Sequence, residues 1–125
     1  FIKVIAYKSR EDELIVKLTR AERLWLKAYR KELKEHYSRS VVRMLIYGSK
    51  ARGEGHPDSD LDVLLIVKDD AGRLKRELRR AGYLLAASSD VLPSILAYTE
   101  EEWDRRDKSG SAFRRAVERD AVQVL

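Results

Sequence analysis

The sequence predicts an α+β domain built on a small sheet. Two seven-residue runs rich in β-branched residues, Val41–Tyr47 and Leu61–Val67, read as strands with both faces buried. Around them, apolar residues recur at three- and four-residue spacing, as on amphipathic helices. The 125 residues suit one compact domain, so residues 1–125 are read as a single unit.

The elements follow in order. Residues 1–7 and 14–18 are short apolar runs separated by the polar KSREDE, and are expected to form either a hairpin or an extended arm. Thr19 and Glu22 have the spacing of a capping box and open a helix over residues 19–37. Ala21, Trp25, Ala28, Tyr29, Leu33 and Tyr37 form its apolar stripe, which is expected to pack in the core. SRS breaks it before the first strand. After the second strand, Asp69 or Asp70 caps a helix over residues 70–87 that turns Leu74, Leu78, Ala81 and Leu85 inward. Residues 90–98 read as a third strand, in which Pro93 marks an edge position or a bulge. Thr99 caps a helix opening EEEW, whose glutamates suit the positive helix end. Trp103 is expected to anchor that helix. KSGS interrupts the chain, Ser111 caps a last helix through about residue 119, and the apolar AVQVL follows.

Composition narrows the chemistry. There is no cysteine, which excludes disulfides and thiolate catalysis, and two histidines offer no structural zinc set. Any metal would be a hard cation held by oxygen. No apolar run is long enough to cross a bilayer and no signal-peptide pattern opens the sequence; the lack of cysteine fits the expectation of a cytoplasmic protein. The net charge of +5 is modest. The basic RLKRELRR at residues 73–80 is read as a solvated face with local acid–base pairing, in preference to a nucleic-acid surface.

The stretch GSKARGEGHPDSDLDVLLIV, residues 48–67, carries the functional signal. Asp60 and Asp62 are two apart at the head of a strand, so their carboxylates share a face. Like charges that close disfavour joint ionisation, and a bound cation removes the conflict. Gly48 ends the preceding strand and permits close backbone approach to a ligand. Ser49 offers a hydroxyl and an amide, and if SKARG opens a helical turn its first amides form an anion site. Lys50 and Arg52 add positive charge. A DxD or a GS alone marks little, and Asp58 and Ser59 can be turn residues. The two together, separated by ten residues between Ser49 and Asp60, fit a nucleoside triphosphate with magnesium. His56 is read as a loop residue and His36 as a helix-surface residue.

This stretch closely resembles the signature of the polymerase-β-like nucleotidyltransferase superfamily, and LIYGSKARGEGHPDSDLDVLLIV is similar to its minimal nucleotidyltransferases. SSDVLPSILAYTEEEW resembles the family's third strand and SGSAFRRAVERDAVQVL its closing helix, so the likeness runs from residue 41 to 125, with the preceding helix a family addition. The resemblance implies a small mixed sheet flanked by helices. It implies that Gly48 and Ser49, with Arg52 nearby, bind the triphosphate, that Asp60 and Asp62 bind magnesium, and that Asp90 is the third carboxylate of a two-metal site. It implies transfer of a nucleoside monophosphate, from ATP first, to a hydroxyl. A HEPN-type helical partner in a toxin–antitoxin pair is one acceptor, and an aminoglycoside-type small molecule is another. The rival readings are a partner-docking module with little transfer and a nucleic-acid adaptor using residues 73–80. An oligomer fits any of them.

Overall fold

The computed structural model describes the backbone of Lys3–Val4 and residues 18–56 and 58–125. One mixed sheet contains β1 (Lys3–Val4), β2 (Val41–Tyr47), β3 (Leu61–Val67), β4 (Pro93–Thr99) and β5 (Val122–Gln123), in the spatial order β1-β5-β2-β3-β4. β3 is antiparallel to β2 and parallel to β4, while β5 is antiparallel to β2 and parallel to β1. The helices are α1 (Arg20–His36), α2 (Gly48–Ala51), α3 (Lys75–Ala86), α4 (Glu100–Lys108) and α5 (Ala112–Asp120). The expected α+β fold with a small mixed sheet flanked by helices is the one observed.

Alternation along β2 and β3 feeds two cores. Met44, Ile46, Val63 and Leu65 pack with Trp25, Tyr29 and Leu33 of α1 and Leu78 of α3. Leu45, Leu64 and Ile66 pack with Trp103 of α4 and Val117 of α5. Burial on both faces removes apolar surface from water twice per strand, which is why these runs carry so few polar residues. Trp103 is an anchor as expected, 1% exposed. On the other face, Trp25 Nε1 donates to the Gly82 carbonyl at 2.9 Å and the Tyr29 hydroxyl donates to the Leu78 carbonyl at 2.6 Å. A Cβ on Gly82 would collide with Tyr29 and Ile95, so glycine sets how closely α3 approaches α1 and the sheet.

Both capping boxes form. Thr19 Oγ1 accepts from Glu22 N and Glu22 Oε1 accepts from Thr19 N; Thr99 and Glu102 repeat the exchange. Ser111 caps α5 through Arg114 N.

Other expectations are corrected. On α1, Leu26 is buried and Ala28 is exposed. The segment after β3 begins as a 3-10 turn, Asp69–Leu74, and neither aspartate caps it. Asp69 Oδ1 instead accepts from Glu101 N at the start of α4. A 3-10 turn advances each residue further around the axis than an α-turn does. The buried face of α3 therefore falls on Leu78, Gly82 and Ala86, and Leu85 is exposed. The third strand starts at Pro93, its first position on an edge strand, so Asp90 lies before it. Residues 122–123 of the closing AVQVL add a strand that the expected element order lacks. The proposed hairpin or arm falls outside the described residues, except that Lys3–Val4 pair with β5.

Candidate active site

β2 ends at Tyr47, which pairs across the sheet with Asp62 of β3. The chain then turns at once into α2. Gly48 has φ +76°, a left-handed conformation that a side chain makes costly. It also has no room for one, because Asp62 Oδ2 occupies the space where a Cβ would stand. Thus the glycine turn and the carboxylate at the strand head are in direct contact. Ser49 is half-buried beside them, and its hydroxyl makes no hydrogen bond among the described residues. Its carbonyl accepts from Glu54 N and Gly55 N at 3.0 and 3.2 Å, which turns the loop back over α2.

Asp62 is half-buried and Asp60 exposed. Burial raises the Asp62 carboxyl above the ordinary carboxylate value, the Asp60 charge raises it further, and Arg52 opposes both. Tyr47 feels the same charge: burial first and then Asp62 push its hydroxyl up to about 12. Arg52 Nε donates to Glu54 Oε2 at 3.0 Å, and its guanidinium also lies 3.8 Å from Asp120. A cavity of about 100 Å³ opens here, lined by Tyr47, Gly48, Arg52, Phe113, Ala116, Val117 and Asp120.

Lys50 is not among the cations facing this space. Its side chain is 1% exposed, and Nζ donates to Glu22 Oε1 at 3.0 Å and to the His56 carbonyl at 2.9 Å. The expectation that it adds charge for phosphate is therefore corrected. His56 contributes through its backbone, and its side chain is exposed.

Asp90 is not brought to the pair. It is exposed after α3 and lines a separate cleft of about 700 Å³ with Thr19, Arg20, Asp58 and Leu92. The residue in register with Asp62 on the parallel neighbour β4 is Ser94. Among the described residues, no three histidines or acids are grouped to hold a metal. Sequence reasoning missed Tyr47, Asp120, Ser94 and Glu22. Each reaches the site region through strand register or a long-range contact, and only Glu22 had a local signal, its capping box.

A model of the nucleotidyltransferase domain matches residues 26–117. The chain belongs to the nucleotidyltransferase domain family. The match begins inside α1, so much of that helix lies within the family region. No curated protein matches the chain. A crystal structure of a Sulfolobus solfataricus protein, assigned as a nucleotidyltransferase, aligns at 23% identity over 66% of this chain and 70% of that one, with a TM-score of 0.47. No described helix of this nucleotidyltransferase is long and apolar enough to cross a membrane.

Proposed function

We propose that this nucleotidyltransferase moves a nucleoside monophosphate from a magnesium-bound nucleoside triphosphate, ATP first, to a hydroxyl acceptor, and that Gly48, Ser49, Arg52, Asp60 and Asp62 do the work. The observation that carries the reading is the contact between Gly48 and the Asp62 carboxylate. It joins a turn suited to phosphate with a pair of acids suited to a hard cation.

The pair fits such a cation on its own chemistry. Burial first, and then the Asp60 charge, disfavour ionised Asp62, and a divalent ion held by both carboxylates would offset each. Magnesium held by Asp60 and Asp62 would neutralise charge on the triphosphate. The α2 amides and the Ser49 hydroxyl orient the phosphates, and Arg52 offers its guanidinium once it gives up the exposed Glu54. In the reaction, the acceptor oxygen bonds to the α-phosphorus. The bond from that phosphorus to the bridging oxygen breaks, pyrophosphate leaves with the electron pair, and the acceptor proton passes to solvent. The chain's contribution is positioning and preorganised charge. Ser94 stands beside Asp62 where a third carboxylate would be near at hand, so the reading rests on two acids, without Asp90.

The acceptor we place first is a hydroxyl on a HEPN-type protein partner. ATP labelled at the α-phosphate, magnesium and the product of the adjacent gene test this together. Label on that product is the expected outcome, and it falls at least ~10³-fold with Asp60→Asn, Asp62→Asn. Label on an aminoglycoside or on RNA ends instead moves the acceptor. No magnesium-dependent ATP binding would sink the reading.

A further inference from the structure

Among the described residues, the ion pair with both members buried is Glu22–Lys50, whose side chains are 3% and 1% exposed. Its position is unusual for a lysine. Lys50 follows the glycine-serine turn and precedes an exposed loop, where its long stem could carry the ammonium into water. Instead the ammonium is directed inward, at the cost of desolvation, and that cost is offset only by good partners. It has two. Glu22 Oε1 accepts at 3.0 Å while also accepting from Thr19 N at 2.8 Å, so the carboxylate is fixed by the helix cap before it meets the lysine. The second is the His56 carbonyl at 2.9 Å.

The loop is shaped around this lysine. A Cβ on Gly55 would lie 2.9 Å from Lys50 Cδ, so glycine there lets the backbone rest on the stem. Ser59 Oγ donates to the His56 carbonyl at 2.7 Å and accepts from His56 N at 3.2 Å, closing the turn one residue before Asp60. A chain of contacts thus runs from the α1 cap through Glu22, Lys50 and His56 to Ser59, the residue beside Asp60. Asp60 is outside β3 and gains no ladder to hold it.

We propose that Lys50 is a positioning residue. Anchored by Glu22, it holds loop residues 53–56 and 58–59 so that the exposed Asp60 stands with Asp62 and the two acids act as one cation site. The functional part of this inference rests on the nucleotidyltransferase reading above. The loop part does not.

The test compares the native protein with the double variant Glu22→Gln, Lys50→Met, which removes both buried charges together. Lys50→Met alone leaves Glu22 buried and unpaired and is expected to fold poorly. Amide exchange of residues 54–56, 58 and 59 is measured in the metal-free protein, and Mn2+ is titrated as the probe of the acidic pair. In the folded double variant, exchange of these amides rises about tenfold with loss of a charge-assisted hydrogen bond. Mn2+ affinity falls about ten- to a hundredfold, the range for lost support of metal ligands. Unchanged exchange and unchanged Mn2+ affinity in a folded double variant would overturn the proposal, leaving Lys50 a packing residue. If exchange rises but the native protein takes up no Mn2+, the tether stands and the magnesium reading is what fails.

Discussion

The chain uses the same device twice. Thr19 with Glu22 and Thr99 with Glu102 are both capping boxes, and in each the glutamate also accepts from a distant lysine: Lys50 at 3.0 Å and Lys75 at 2.8 Å. The surroundings differ. Glu22 and Lys50 are sealed, whereas Glu102 and Lys75 are about one-third exposed. The first lies by the glycine turn. The second lies at the opposite end of the sheet, where Thr99 pairs with Val67 and not near the Asp62–Ser94 register. A cap with a lysine is therefore only a local fastening when water can replace either partner. Sealed from water, the same three residues become a fixed reference for a neighbouring loop.

The largest test of that contrast is lysine removal at each place. Lys50→Met should cost ~3–5 kcal/mol in chemical denaturation, because it strands a buried carboxylate. Lys75→Met should cost under ~1 kcal/mol. Equal losses would break the comparison.

Next comes Gly48→Ala, which forces a side chain into a left-handed position already filled by Asp62. A loss of ~1–3 kcal/mol is expected, together with weaker Mg2+ binding, since Asp62 must move. A calorimetric titration that leaves metal affinity intact would show that the contact is dispensable.

Asp62→Asn should act in the opposite sense. The folded carboxyl is raised, so the native state holds that proton more tightly than the unfolded chain does. Stability is gained as pH falls through the folded pKa, and the gain is complete below the ordinary value of 3.8. Asparagine mimics the protonated form, so the metal-free variant should melt slightly higher at neutral pH, by less than about 1 kcal/mol. Added magnesium should raise the melting of the native protein and leave the variant unmoved. A variant much less stable than the native protein would contradict the charge conflict.

The smallest effect lies at the far cap. A side-chain hydrogen bond from Lys75, and then one from Thr99 N, hold Glu102 below its ordinary 4.5. Its contribution is full above 4.5 and is lost as pH falls through the lower folded value. Glu102→Gln should flatten stability against pH below about 4.5 and nowhere else. Denaturation curves across the acid range will read this directly.

These cases also separate what was legible in the sequence from what was not. The caps were legible because each is written within four residues. β2 and β3 were legible because double burial leaves long apolar runs, and the spacing from Gly48 and Ser49 to Asp60 and Asp62 sits between them. The direction of Lys50 was not, since it depends on a glutamate 28 residues away. That Ser94 is the residue in register with Asp62 was not legible, because the register of an edge strand beginning at a proline is not encoded locally. The phase of α3 was displaced by a 3-10 turn with the same composition as a helix start. Residues 122–123 were too few to announce a strand, yet they pair with Leu45 and Ile46.

That short strand has a consequence for the order in which the molecule is made. β5 lies between β1 and β2, although its residues are synthesised more than a hundred positions after β1. During translation, the ladder that β1 joins among the described residues and the partner of the β2 edge are both missing until residues 122–123 have left the ribosome. Closing so long a loop is slow in entropic terms. Among the described strands the sheet therefore grows outward from β2 and β3, and β1 is joined to it only through β5.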